Sequence, residues 1–174
     1  MATNALAPPE KGAAVAPGDL VRHLGIILRG FQTRFETAMD GMPAGVRGYH
    51  ILSTVVYGNP PNQQAIGTHL GIDRTVLTYL IDTLVDAGLV ERVPDPVDRR
   101  ARKIVVTASG AETLTRYEER VAAVEADLLS VLSPQEAAAL TALTGRLSLH
   151  IHRAHPGVNP CEGVGGMSRR LHAL

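Results

Sequence analysis

Leu77, Leu80, Ile81, Leu84 and Val85 recur at i, i+3, i+4, i+7 and i+8, the spacing of a single buried stripe along one helix. This stripe constrains the chain more than any other feature. A helix this short is marginal alone, so the neighbouring segments must supply the other half of a core. Asp73 stands where an N-cap is needed, and its charge suits the positive end of a helix. Gly88 closes the segment. The opposite face carries Arg74, Thr75, Thr78, Tyr79, Asp82 and Thr83. Such mid-length, hydrogen-bonding side chains suit base edges and phosphates if the helix lies in a major groove, whereas a polar face opposite a core stripe is by itself only a solvated surface.

The flanking segments favour the first alternative. Upstream, Asn62 reads as the cap of a short helix with Ala65, Ile66 and Leu70 on its apolar side, and Gly71 lets the chain leave sharply. Downstream, 89–93 reads as a strand, followed by a Pro/Asp-rich loop holding Arg99, Arg100, Arg102 and Lys103, then a β-branched strand over 104–106. Two short helices and a basic-tipped hairpin are the layout of a winged helix. The expected class is therefore mainly α with a small β-hairpin wing, a winged helix-turn-helix flanked by further helices.

The run Gly71-Ile72-Asp73-Arg74-Thr75-Val76-Leu77-Thr78 comes first. Leu84, Gly88-Leu89-Val90-Glu91-Arg92 and Asp95-Pro96-x-Asp98-Arg99-Arg100 follow. Together they resemble the MarR family of bacterial regulators, and the match extends to Val106-Thr107 and Gly110. Tyr79 departs from the family, which frequently has Arg there, and Ala101 stands where Gly often follows the wing Arg. The resemblance implies a DNA-facing set of Gln63, Arg74, Thr75, Thr78, Tyr79, Asp98, Arg99, Arg100, Arg102 and Lys103. Asp98, two residues before Arg100, suits a carboxylate holding a guanidinium in place, and a pre-oriented Arg suits the narrow minor groove. Arg99, Arg102 and Lys103 suit phosphates, which position without specifying.

Taken in order, 1–17 is Ala/Pro/Gly-rich and expected to be a disordered arm. A helix over 18–39 carries Leu20, Leu24, Ile27, Leu28, Phe31 and Phe35; a second starts near Pro43 and carries Val46, Tyr49, Leu52 and Val56. After the winged unit, about 43–107, a long helix over 108–131 is capped by Thr107 or Ser109. Ser133-Pro134-Gln135-Glu136 then opens a last helix to Arg153 with a capping box. The stripes of 18–40 and 108–153 need partners. The resemblance pairs them with a second copy, giving a homodimer on a pseudo-palindromic operator of double-stranded DNA, and 154–174 is expected to be a loose tail. It also implies a small aromatic or phenolic effector between the dimerisation helices and the winged unit, with His23, Tyr49 and His50 as candidate ligand residues.

Charge and composition narrow the alternatives. Formal net charge is zero, but 99–103 hold four basic side chains and no acid, while 108–145 hold six acids against Arg116 and Arg120. A basic tip on an acidic body fits a DNA binder. No apolar run reaches membrane-span length, no leader pattern opens the chain, and the single Cys161 forms no internal disulfide, so a cytoplasmic location is expected. No metal or cofactor is expected. His150, His152 and His155 fall at i, i+2 and i+5, which does not gather three imidazoles on one helix face. No phosphate-cradling loop, nucleophile elbow or carboxylate pair points to an enzyme. The reading is a ligand-responsive repressor, with a protein-docking winged helix or a metal-responsive regulator as alternatives.

Overall fold

Several helices in this chain begin where a side-chain oxygen satisfies the exposed backbone N–H groups. The computed structural model describes residues 16–60, 62–94 and 102–154. The elements are α1 (Asp19–Ala38), α2 (Gly45–Gly58), α3 (Gln63–Leu70), α4 (Arg74–Asp86), β1 (Val90–Pro94), β2 (Arg102–Val106), α5 (Ala108–Leu129) and α6 (Pro134–Ala154). The architecture is mostly helical with one antiparallel hairpin, the class expected from periodicity. No helix among the described residues is long and apolar enough to cross a membrane.

The caps act as their chemistry dictates. Asn62 Oδ1 accepts from the Ala65 N–H at 2.9 Å, and Asp73 Oδ1 from the Thr75 N–H at 2.8 Å. Thr107, not Ser109, caps α5, its hydroxyl oxygen accepting from the Gly110 N–H at 2.9 Å. At α6, the Ser133 N–H donates to Glu136 Oε2 at 2.9 Å and the Glu136 N–H donates to Ser133 Oγ at 3.3 Å, a reciprocal box. At the end of α4, Gly88 takes φ 71°, with Gly88 N–H donating to Val85 O and Leu89 N–H to Leu84 O. That left-handed turn aims the chain into β1.

The second helix departs from expectation at its start. Pro43 does not sit in its first turn, because Ala44 and Gly45 take φ 60° and 58°. The chain makes a tight turn, Gly45 N–H donating to Met42 O, and α2 begins after it. In the hairpin Val90 pairs with Val106, Arg92 with Ile104 and Pro94 with Arg102.

The α4 stripe fills the core as the spacing requires. Leu77, Ile81 and Leu84 pack with Ile51 and Leu52 of α2, Ile66 of α3, Val90 and Ile104 of the hairpin, and Leu114 and Tyr117 of α5. Each such side chain contributes about 1.5–3 kcal/mol when removed from water. The shortage of aromatics suggests an aliphatic core, yet Phe35 and Tyr117 belong to it. Tyr117 ties α5 to the end of α1, its hydroxyl donating to Asp40 O at 3.2 Å while the Arg120 guanidinium lies 4.6 Å from its ring centroid.

α5 meets the wing root closely. A Cβ at Gly110 would lie 2.0 Å from Leu89 O and 2.8 Å from Val106 Cγ2. Gly110→Ala is expected to lower unfolding free energy by about 1–3 kcal/mol, as overpacking of a tight contact does. Urea denaturation followed by circular dichroism measures it, and an unshifted midpoint would show the contact to be slack.

Candidate nucleic-acid interface

Burying one side of α4 exposes the other. While Leu77, Ile81 and Leu84 are at most 1% exposed, Tyr79 is 71% exposed, and Arg74, Thr75 and Thr78 are exposed beside it. α3 crosses the N-terminal end of α4, and β2 closes the same side. The result is an open cleft of about 910 Å³ whose lining includes Gln63, Thr68, Arg74, Thr78 and Arg102. The structure thus brings together Gln63, Arg74, Thr78 and Arg102 from three elements, with Thr75 and Tyr79 on the adjoining surface of α4. Asp98, Arg99 and Arg100 lie outside the described residues.

Hydrogen bonds hold parts of this surface in place. Gln63 Nε2 donates to Thr78 Oγ1 at 3.0 Å across the helix pair, and Thr78 Oγ1 donates to the Arg74 carbonyl at 2.9 Å. Asp82, grouped by sequence with the groove-facing residues, is ion-paired with Arg92 of β1. It ties α4 to the wing. Lys103 is half-buried rather than free, its ammonium donating to Asn59 Oδ1 at 2.9 Å and so anchoring β2 to the end of α2. Sequence reasoning missed Arg92 and Asn59 as positioning residues. Nothing local marks them, since their partners lie 10 and 44 residues away.

Electrostatics at the head of α4 follow from capping. The Thr75 and Val76 N–H groups hold the Asp73 carboxyl below its ordinary value. A carboxylate depressed in the folded state stabilises it above the unfolded value, and that contribution is lost as pH falls through the folded pKa.

The candidate effector residues divide. Tyr49 and His50 sit on α2 against Phe35, with ring centroids 5.7 and 5.9 Å from that of Phe35. Burial pushes the Tyr49 hydroxyl pKa up, helped by the Glu118 carboxylate, and pushes the His50 imidazole pKa down. The His50 Nε2 atom is buried and has no hydrogen-bond partner among the described residues. His23 is exposed on α1, 12 residues before Phe35, which at helical rise is roughly 18 Å along the axis. Within one protomer His23 does not join the other two. Among the described residues no group of three His, Cys, Asp or Glu is placed to hold a metal ion.

A helix-turn-helix with an exposed polar second helix, backed by an antiparallel wing, is a winged helix-turn-helix DNA-binding unit. The family model described as MarR family matches residues 47–101, which span α2 to the wing loop. The chain is 29% identical over 143 residues to the transcriptional regulatory protein assigned to the hcr operon of Thauera aromatica, covering 78% of this chain and 84% of that protein. Among solved structures it superposes on wild-type MarR of E. coli in the apo form with a TM-score of 0.64 at 21% identity, covering 77% of this chain and 98% of that one. It superposes on the PcaV transcriptional regulator of Streptomyces coelicolor in complex with its natural ligand with a TM-score of 0.55 at 26% identity, covering 78% and 96%. The winged unit thus matches the MarR family model, and over most of its length the chain is similar to transcription regulators.

Two substitutions test the caps. Asn62→Ala is expected to lower unfolding free energy by about 1 kcal/mol. Asp73→Asn keeps a capping oxygen but no titrating group, so it should preserve stability near pH 7 and lose less than wild type at about pH 3. Urea midpoints at the two pH values report both effects, and an unchanged acid response in Asp73→Asn would remove Asp73 from the acid-sensitive groups.

Proposed function

We propose that two copies of this chain form a repressor that binds a pseudo-palindromic operator and is released by a small aromatic or phenolic acid. The observation that carries the operator reading is the exposed polar face of α4 beside the cleft. Arg74, Thr75 and Tyr79 contact base edges and phosphates there, Thr78 lies among them, Gln63 from α3 shares the cleft, and Arg102 and Lys103 lead the wing toward the backbone. Asp98, Arg99 and Arg100 complete the wing, with Arg100 entering the minor groove. One recognition helix reads few base pairs, so a two-fold pair spanning half-sites about 10 bp apart supplies the specificity.

Exposed apolar stripes support the second copy. Leu20, Leu24 and Ile27 of α1 are 59%, 44% and 44% exposed, and Leu143, Leu147 and Ile151 of α6 are 53%, 51% and 51% exposed. Of α6's described side chains all but Ala137 are exposed. Monomers rarely leave such stripes in water. The organisation proposed is a winged unit of about 43–107 between dimerisation helices over 18–40 and 108–153. The effector reading is supported by the buried His50 Nε2 beside Tyr49, which lacks a hydrogen-bond partner among the described residues, and by the ligand-bound state in which PcaV is described. His23 would join that site only at its outer end. A ligand acts through differential affinity for the DNA-competent arrangement, and release from a promoter readmits polymerase.

Fluorescence anisotropy on the DNA upstream of the chain's own gene, at two salt concentrations and against random duplex, tests the operator reading. Specific binding with log affinity falling against log salt is expected. Arg100→Ala should weaken it by about 1–3 kcal/mol. Equal, salt-insensitive binding to both duplexes would favour a protein-docking role. Leu147→Glu should shift the sedimentation coefficient from dimer to monomer, and a dimer that survives it would overturn the assigned interface. Aromatic acids should release the DNA from wild type and not from His50→Phe.

A further inference from the structure

We propose that Gln63 reads an adenine in each half-site and that Thr78 is its positioning residue. This rests on the DNA-binding reading above and assigns the chemistry of one contact within it. The argument turns on a hydroxyl with a single hydrogen. Thr78 Oγ1 donates that hydrogen to the Arg74 carbonyl at 2.9 Å. While that bond is kept, the hydroxyl, 3.0 Å from the Gln63 side chain, accepts there, and the group facing it is the Gln63 amide nitrogen. The reversed amide would take the hydroxyl hydrogen for Gln63 Oε1 and forgo the bond to the Arg74 carbonyl, so only one sense of the amide keeps both contacts. The Thr78 bond thus fixes the Gln63 amide in one sense.

Two consequences follow for recognition. Thr78, its donor committed, has no hydrogen to give to a base, and its role is to hold Gln63. Gln63 keeps Oε1 and its second N–H. An acceptor beside a donor matches the major-groove edge of adenine, where the N6 amino group donates and N7 accepts. A phosphate offers acceptors only and leaves Oε1 without a partner. Gln63 is also well placed to act as a fixed reader. It is the first residue of α3, directly after the Asn62 cap, it is half-buried, and it lines the cleft together with Arg74, Thr78 and Arg102. The tether to Thr78 restricts the rotamers that a free glutamine would lose on binding.

Full-length protein would first select its preferred site from random-sequence duplexes. Anisotropy would then measure affinity for that site, for versions with each A·T pair replaced, and for versions with each adenine in turn exchanged for 7-deazaadenine, which lacks the N7 acceptor. Wild type is expected to lose about tenfold or more at one adenine per half-site under both changes. Gln63→Ala should be indifferent to both changes at that adenine and keep its preferences elsewhere. Thr78→Val, which keeps the side-chain shape and removes the hydroxyl, should behave as Gln63→Ala does, and Thr78→Ser should restore the wild-type profile. Circular dichroism melts confirm that each variant is folded. If Gln63→Ala weakens all duplexes by one factor, Gln63 contacts phosphate and the assignment fails. If Thr78→Val changes preference at a different base pair, Thr78 reads a base itself and the assignment also fails. A wild-type selection that returns no preferred site overturns the operator reading, and this assignment with it.

Discussion

The contact between Gly110 and the Leu89 carbonyl sets the positions of the parts that matter. Three elements meet there: the end of α4, the root of the wing and the start of α5. Thr107 binds them, its N–H donating to Leu89 O at 3.1 Å and its hydroxyl donating to Gly88 O at 2.7 Å while accepting from the Gly110 N–H. A side chain at residue 110 would force α5 outward, and α5 carries the helices that present the exposed stripes. The same residues that cap a helix therefore couple the wing to the long helix, because the cap oxygen and the strand carbonyls share one hydroxyl.

Around that junction, the recognition surface is held by contacts that bypass the core. Asp82 and Arg92 link α4 to β1, Lys103 and Asn59 link β2 to α2, and Gln63 and Thr78 link α3 to α4. These groups are exposed or half-buried, so each contributes little to stability in water. Their effect is geometric. They restrict how the wing and the two helices can tilt against one another, and so hold the exposed face of α4 and the hairpin in one relation.

The other end of the molecule is organised by what remains uncovered. α1 is buried only in its C-terminal half, from Phe35 onward, and α6 is exposed along its length. Between the exposed stripes and the wing lies the small aromatic group of Phe31, Phe35, Tyr49 and His50, where burial lowers the imidazole pKa and Nε2 has no hydrogen-bond partner among the described residues. A buried polar atom without a bond is costly, so the packing of α1 against α2 carries a penalty at that point.

The helices and their limits were legible in the sequence because they depend on local chemistry: the 3.6-residue stripe of α4, the caps at Asn62, Asp73 and Thr107, the glycine at 88 and the box at Ser133. The exposed set Arg74, Thr75, Thr78 and Tyr79 was legible too, as the complement of a stripe that has to be buried. The start of α2 was not, since a proline suits a helix's first turn and nothing in Pro43-Ala44-Gly45 announces two successive positive φ angles. Only the tertiary structure decided that Asp82 faces the wing, that Lys103 is tethered to Asn59, that His23 stands apart from Tyr49 and His50, and that Gln63 meets Thr78. Periodicity gives the direction of a side chain on its own helix, but which residue from elsewhere arrives opposite it depends on how helices cross, and that is settled by packing of the whole core.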